Sequence, residues 1–155
     1  MLLNTDTDSD ALEAALSELK TAGIKATRQR AAIVHALVGD TSHPTAQELY
    51  ARLLPTCPGL SFATVYNTLG TLARAGRIRP IAMSGPTRFD PVVIDHHHAI
   101  CDGCGAVQDV PSVRSPRLPT LPEFEVSRVE QIFRGLCAAC RADAAQTPPK
   151  GGNDG

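Results

Sequence analysis

Apolar residues recur at helical spacing in three stretches of the first 55 residues. The first stretch stops at Gly23 and the second opens at Thr27. The third opens at Thr45, which has the spacing of a capping box with Glu48, and it ends at Pro55. The apolar positions are Leu12, Leu16 and Leu19, then Ala31, Val34, Leu37 and Val38, then Leu49 and Leu53. The pattern therefore predicts three short helices.

A fourth stretch, residues 61–75, separates into two arcs around the helical wheel, with Ser61 as N-cap and Gly76 as C-terminal stop. The apolar arc consists of Phe62, Val65, Leu69, Leu72 and Ala73. The opposite arc consists of Thr64, Asn67, Thr68, Thr71 and Arg74, with Tyr66 at the border. Its groups are small, form hydrogen bonds and carry little charge, so this arc could approach the base edges of DNA closely.

The segment that follows, RIRPIAMSGPTRFD (residues 77–90), alternates enough to predict two strands around a turn at residues 84–86. Three or four helices followed by a hairpin is the order of a winged helix-turn-helix. Helices followed by a hairpin also occur in plain interaction modules. The order of elements therefore favours a DNA-binding domain without excluding the other class.

The net charge of −1 over 155 residues combines a basic segment with acidic flanks. Residues 20–79 hold eight lysines and arginines against two acids, whereas the first 19 residues hold five acids and no base. A basic segment beside acidic flanks is consistent with nucleic-acid binding, although basic surfaces are common. The start of the chain has no pattern of a secretory signal, and no run of 18 apolar residues occurs, so a cytoplasmic location without membrane contact is expected.

Five cysteines in such a reducing compartment are more consistent with metal ligation than with disulfides. Four of them form two Cys-x-x-Cys pairs separated by 32 residues: Cys101 with Cys104, and Cys137 with Cys140. Two such pairs close a tetrahedron suited to structural zinc, Zn2+, and leave no ligand position for water. A redox or free-thiol role is the alternative. Cys57 is left over and is interpreted as incidental.

Three consecutive histidines precede the first cysteine pair in DHHHAICDGCG, residues 95–105. In an extended strand, His96 and His98 point to one face and His97 points away. One face of the strand can therefore offer two nitrogens to a second metal. Further candidate ligands are Asp90, Asp95, Asp102, Asp109 and His43. A solvated, histidine-rich hinge is the alternative.

Five stretches together resemble the ferric uptake regulator family of dimeric, metal-dependent bacterial repressors: SHPTAQELY, SFATVYNTLGTLARAG, RFD, DHHHAICDGCGAVQD and GLCAAC. The resemblance implies an α+β fold, with an N-terminal winged helix-turn-helix followed by a small α/β dimerisation domain that carries a four-cysteine zinc site. The implied divisions are a DNA-binding domain at 1–89, a hinge at 90–97, a dimerisation and metal-binding domain at 98–141 and a disordered tail at 142–155.

The resemblance also implies a regulatory site for Fe2+ or Mn2+. Its ligands would be His43, Asp90, His96, His98 and Asp109, the pattern of the peroxide-sensing branch of the family. In that branch, iron-catalysed oxidation of a histidine ligand, by resemblance His43 or His96, would release the metal from the repressor. The manganese form would ignore peroxide. The protein would thus control oxidative-stress genes, and an iron or manganese homeostasis repressor without peroxide sensing is the alternative.

No enzymatic activity is expected, because the His-x-Glu of the zinc deaminases is missing beside the cysteine pairs. The implied partners are double-stranded operator DNA and a second copy of the chain. Lys25 and Arg28 are expected to contact phosphates, while Thr64, Tyr66 and Asn67 are expected to contact bases. In the proline-rich segment 111–122, Pro116, Pro119 and Pro122 would break the dimerisation helix that the family normally has there.

Overall fold

The computed structural model describes residues 13–14, 16–17, 19–81, 83–111, 121–126 and 129–146. The chain has an α+β fold and divides into two compact units, Met1–Ile94 and Asp95–Gly155. None of the helices within those described ranges has the length and apolar character needed to cross a membrane.

Within the described residues, the first unit contains the helices α1 (Arg28–Leu37), α2 (Ala46–Leu53) and α3 (Phe62–Arg74). Residues 13, 14, 16, 17 and 19–21 are also helical. Each of the three helices begins at a hydroxyl N-cap, because the side chains of Thr27, Thr45 and Ser61 accept a hydrogen bond from the backbone N–H three residues later. The predicted capping box at α2 is confirmed, with the Glu48 carboxylate accepting from the N–H of Thr45 at 2.8 Å.

The apolar faces of these helices form the core of the first unit, but α3 differs from the predicted wheel at two positions. Phe62 is 41% exposed, because it starts the helix beside the cap; its ring lies edge-on to Tyr50 and tilted to Tyr66, at the rim of the core. Thr68, predicted on the outward arc, is 2% exposed. It lies one turn from Val65 on the buried face, and its hydroxyl donates to the Thr64 carbonyl at 2.6 Å. A small side chain with a satisfied hydroxyl can occupy a core position.

The predicted hairpin is confirmed. Strands β1 (Arg79–Ile81) and β2 (Arg88–Asp90) pair antiparallel, with Arg79 opposite Asp90. A single bridge also pairs Arg88 with Thr45, the N-cap of α2. Strand β2 is therefore attached both to the hairpin and to the start of a helix.

The second unit contains β3 (His97–Cys101), β4 (Val107–Val110), β5 (Ile132–Gly135) and the helix α4 (Ala138–Gln146). The strands form one sheet in the order β4-β3-β5, in which β3 is antiparallel to β4 and parallel to β5. Helix α4 includes residues 142–146, so the prediction of a disordered tail is wrong for them; residues 147–155 lie outside the described residues. Most of the proline-rich segment, 112–120, also lies outside them.

Candidate metal centres

The four cysteines of the two Cys-x-x-Cys pairs converge at one end of the sheet in the second unit. Cys101 ends β3, Cys104 follows in the turn to β4, and the second pair lies at the start of α4. All four sulfur atoms lie within 4.8 Å of one another, and those of Cys104 and Cys137 are 3.8 Å apart. Four sulfurs around a tetrahedral zinc at about 2.3 Å are separated by about 3.8 Å. The cluster is therefore a four-cysteine site of the kind that holds structural zinc.

Hydrogen bonds within the cluster lower the pKa of one thiol and raise the pKa of another. The backbone N–H of Cys137 donates to the sulfur of Cys101 at 3.2 Å, and with the N–H groups of Cys104 and Gly103 it lowers the pKa of Cys101 to about 6. Hydrogen bonds to the sulfurs of Cys137, Cys104 and Cys101 raise the pKa of Cys140 to about 12. The cluster thus favours the thiolate form of Cys101, whereas ionisation of Cys140 needs a bound cation.

Two glycines shape the turn between Cys101 and β4. Gly105 has φ +71, a backbone conformation that residues other than glycine rarely adopt. A Cβ atom on Gly103 would lie 3.0 Å from the sulfur of Cys140 and 3.1 Å from its Cβ. The close approach of the first cysteine pair to the second therefore requires glycine at position 103.

Three of the predicted regulatory ligands lie together on one face of the same sheet. His96 immediately precedes β3, His98 lies within it, and Asp109 lies opposite His98 on β4. The Nε2 atoms of the two histidines are 3.1 Å apart, and an Asp109 carboxylate oxygen lies 3.2 Å from Nε2 of His96 and 3.8 Å from Nε2 of His98. Two imidazoles and a carboxylate, without a thiolate, form a donor set suited to iron(II) or manganese(II).

The other two predicted ligands lie together in the first unit. His43 and Asp90 are buried, with 1% and 0% exposure. A ring nitrogen of His43 and a carboxylate oxygen of Asp90 lie within 4.8 Å of each other. The Asp90 carboxylate also accepts a hydrogen bond from the backbone N–H of Val92 at 2.8 Å, which fixes its orientation at the end of β2.

His97 and two nearby aspartates stay outside these donor sets. The ring of His97 lies beside Phe133, with ring centroids 6.4 Å apart, and its Nδ1 accepts from the backbone N–H of Gln131. Within the described part of the chain, its buried Nε2 has no hydrogen-bond partner. Asp95 and Asp102 are exposed, and Asp102 pairs with Arg134 at 3.2 Å.

Two charged residues beside the ligands were not predicted from the sequence. Glu130 places a carboxylate oxygen 3.3 Å from Nδ1 of His98. The guanidinium of Arg88 donates to the backbone carbonyl of His43 at 2.9 Å and to the carboxylate of Glu48. Arg88 belongs to the RFD motif and Glu48 to the capping box, so both were visible in the sequence, but no local pattern joined them to His43.

Most of the residues expected to contact DNA are on the surface of the first unit. Lys25, Arg28 and Asn67 are exposed, Tyr66 is 60% exposed, and Thr64 is partly buried. The hydroxyl of Thr64 lies 2.9 Å from that of the N-cap Ser61. That these residues contact DNA stays a prediction.

A sequence profile of the ferric uptake regulator family matches residues 21–117. The chain belongs to this family, whose members are transcriptional regulators rather than enzymes. The resemblance drawn from the sequence motifs is thereby confirmed.

Individual relatives agree. The chain is 36% identical over 137 residues to the peroxide operon regulator of Bacillus subtilis (strain 168). The matched region covers 83% of this chain and 92% of that protein. It is 32% identical over 137 residues to the peroxide-responsive repressor PerR of Staphylococcus epidermidis (strain ATCC 12228 / FDA PCI 1200), with coverage of 85% and 91%. The Helicobacter pylori ferric uptake regulator Fur, with a TM-score of 0.65, 19% identity and coverage of 86% and 93%, supports the fold alone.

Proposed function

We propose that the protein is a homodimeric, metal-dependent repressor that binds operator DNA and releases it in response to hydrogen peroxide. The observation that carries the proposal is the thiolate-free donor set of His96, His98 and Asp109, which shares β3 with the four-cysteine zinc site yet is separate from it. The identity to peroxide-responsive relatives supports the choice of peroxide as the signal.

The proposed regulatory metal takes ligands from both donor sets. His43 and Asp90 supply two donors, and His96, His98 and Asp109 supply three. Manganese and similar cations prefer about six nitrogen and oxygen ligands, so neither set suffices alone. The five together leave one position for a small molecule. Because His43 and Asp90 belong to the unit that carries the proposed DNA contacts, we infer that DNA binding depends on the bound metal.

The choice of metal decides the response. Iron(II) held by these five residues would supply the electron that cleaves the O–O bond of hydrogen peroxide, whereas manganese(II) is a much weaker reductant and would not. The residues next to the cleaved peroxide would be the ligands themselves, so one peroxide oxygen would enter an imidazole C–H bond and the other would leave as water. An imidazole that has gained an oxygen atom is a poorer donor. Loss of His43 or His96 from the set leaves too few ligands to retain the metal, and the repressor then dissociates from DNA.

We infer that the first unit is a winged helix-turn-helix. Helix α3 exposes Tyr66 and Asn67, while Lys25 and Arg28 are exposed cations near the start of α1. We infer that α3 enters the major groove, that the cations contact phosphates, and that β1 and β2 form the wing. No catalytic role is proposed.

The experiment compares the iron- and manganese-loaded forms of the zinc-containing protein. Duplexes that bind the manganese form are first selected from a random library. Both forms then receive a low dose of peroxide, DNA binding is followed by fluorescence anisotropy, and tryptic peptides are examined by mass spectrometry. Only the iron form should lose DNA binding and gain an oxygen atom on a peptide that contains His43 or His96.

Two results would contradict peroxide sensing. One is an equal loss of DNA binding in both metal forms; the other is oxidation confined to cysteine or methionine. Either result, together with metal-dependent DNA binding, would instead favour an iron or manganese homeostasis repressor. Absence of metal-dependent DNA binding would exclude both functions.

A further inference from the structure

The backbone of His43 adopts a conformation that its sequence position disfavours. Its φ is +50, and among the described residues it is the sole non-glycine residue with a positive φ. Residues that have a Cβ atom rarely adopt this left-handed backbone conformation. The next residue, Pro44, adds a second restriction, because a residue before proline is normally held in an extended conformation. Contacts from elsewhere in the unit must therefore stabilise His43.

The guanidinium of Arg88 makes one of these contacts. One of its nitrogens, Nη1, donates to the backbone carbonyl of His43 at 2.9 Å and to Oε2 of Glu48, also at 2.9 Å. The other, Nη2, donates to Oε1 of Glu48 at 3.2 Å. The Arg88 side chain is only 17% exposed. A two-pronged pair with a carboxylate orients the guanidinium plane, so the donor to His43 has a defined direction.

Glu48 is itself held in place by the capping box. Its carboxylate accepts the backbone N–H of Thr45 at 2.8 Å, and its own N–H donates to the Thr45 hydroxyl at 3.1 Å. The backbone adds a further connection, because the N–H of Phe89 donates to the Pro44 carbonyl at 3.0 Å. The turn after His43 is therefore attached to β2 at two successive residues, Arg88 and Phe89.

Arg88 and Asp90 are two residues apart in β2, so their side chains leave the same face of the strand. The Arg88 side chain holds the carbonyl of His43, while the Asp90 carboxylate lies within 4.8 Å of a ring nitrogen of His43. One strand thus sets the backbone of one proposed ligand and supplies the next ligand. Lysine cannot reproduce this contact, because a single ammonium cannot reach the carbonyl and both carboxylate oxygens in the same geometry.

We propose that Arg88 is a positioning residue for the regulatory metal: it holds His43 in the left-handed conformation that keeps the imidazole beside Asp90 before any metal arrives. The inference rests on the proposed function for the identity of the site. It implies that the ligand pair of the first unit is organised in advance, so that metal binding does not have to order it.

The test uses the full-length, zinc-loaded protein and the variants Arg88→Gln and Arg88→Lys. Arg30→Gln is the matched control, because Arg30 also donates to a backbone carbonyl, that of Lys25 at 2.9 Å, in the same unit. Mn2+ binding is measured by electron paramagnetic resonance of the free ion. Changes to residues that orient metal ligands weaken metal binding roughly 10- to 100-fold. We expect a loss in this range for Arg88→Gln, a smaller loss for Arg88→Lys and no loss for Arg30→Gln.

A second measurement examines the protein without Mn2+. The three-bond coupling between the amide and Hα protons of His43, together with its carbon shifts, reports the sign of φ by NMR. Arg88→Gln should shift these values toward the extended region, whereas Arg30→Gln should leave them unchanged. A merely stabilising role for Arg88 would lower the unfolding temperature without altering this local signature.

The inference is overturned if Arg88→Gln binds Mn2+ like the unmodified protein, or if His43 keeps its coupling in that variant. If Arg88→Gln does not fold, Arg88→Lys supplies the same two comparisons while it retains the charge. A failure of the proposed function has a different signature, namely that the unmodified protein does not bind Mn2+ outside the four-cysteine cluster. In that case the NMR measurement still decides whether Arg88 holds His43.

Discussion

Nδ1 of His98 lies 3.3 Å from a carboxylate oxygen of Glu130, on the side of the ring opposite the nitrogen that faces Asp109. A carboxylate behind a ligating histidine favours the tautomer with the proton on Nδ1, which leaves Nε2 available to a metal, and it increases the basicity of the ring. Glu130 is therefore placed to support His98 as a ligand.

Replacement of this carboxylate should weaken metal binding. We expect Glu130→Ala to weaken Mn2+ binding by about 10-fold and Glu130→Gln to have a smaller effect, because glutamine keeps a side-chain oxygen beside Nδ1 without the charge. Titration with Mn2+, followed by calorimetry, measures the change. Glu125→Ala, at an exposed glutamate nearby in the chain, is the control. Equal affinities for the Glu130 and Glu125 variants would show that Glu130 plays no part in the site.

The four-cysteine cluster should not tolerate a side chain at position 103. A methyl group at Gly103 would meet the sulfur of Cys140 at 3.0 Å, so Gly103→Ala must displace one cysteine pair from the other. Overpacking of this kind costs about 1–3 kcal/mol. We expect faster zinc loss to a chelator and a lower unfolding temperature. Gly135→Ala is the matched control, since nothing lies within 4 Å of a Cβ there. Zinc retention equal to that of the control would mean that the turn relaxes freely.

The capping box of α2 should contribute to stability in a pH-dependent way. Burial alone raises the pKa of Glu48, but hydrogen bonds from Thr45 and Arg88 outweigh it, so the pKa lies below the ordinary value of 4.5. Because the folded state has the lower pKa, ionised Glu48 stabilises the protein above pH 4.5, and this contribution disappears as the pH falls through the folded pKa.

Denaturation by urea at a series of pH values tests this expectation. Glu48→Gln should be less stable than the unmodified protein near neutral pH, and the difference should shrink below pH 4.5. Glu123→Gln, at an exposed glutamate outside the capping box, serves as control. A difference that stays constant across the acid range would assign the loss to packing rather than to the charge of Glu48.

Lys25 and Tyr66 should affect DNA binding in different ways. Lys25→Gln removes the proposed phosphate contact, so it should weaken binding to all duplexes alike and reduce the slope of log K against log salt by about 1. Tyr66→Ala should instead change the ranking among duplexes, because Tyr66 is proposed to contact bases. Anisotropy titrations at several salt concentrations separate the two effects, with Arg141→Gln in the second unit as a control for charge alone. An equal loss of affinity for all duplexes with Tyr66→Ala would contradict a role of α3 in base recognition.

Local signals in the sequence predicted a large part of this structure. The capping box at Thr45, the hairpin after α3 and the two cysteine pairs each depend on a few neighbouring residues, and all three are found as predicted. The buried position of Thr68 was missed because residue type was given more weight than its spacing from Val65. The helix α4 was missed because its alanine-rich sequence lacks an apolar stripe.

The residues that support the ligands could not be predicted in the same way. Glu130 lies near His98 only because β5 pairs parallel to β3 across a connection of about thirty residues. The spacing of apolar residues along the sequence does not indicate such a pairing. Likewise, the left-handed backbone of His43 depends on Arg88, which lies 45 positions away in the sequence. Both relationships belong to tertiary structure.

The parallel pairing of β3 and β5 gives the zinc site a second consequence. Cys101 lies opposite Gly135 and His98 lies opposite Ile132, so the two cysteine pairs close the end of a ladder whose other end, roughly 10 Å away, carries the histidines. A slip of one residue between these strands would turn every side chain of β5 to the other face. Zinc bound to the two cysteine pairs would fix the register of β3 and β5 at the cysteine end. That register places Glu130, rather than its neighbour Gln131, beside Nδ1 of His98.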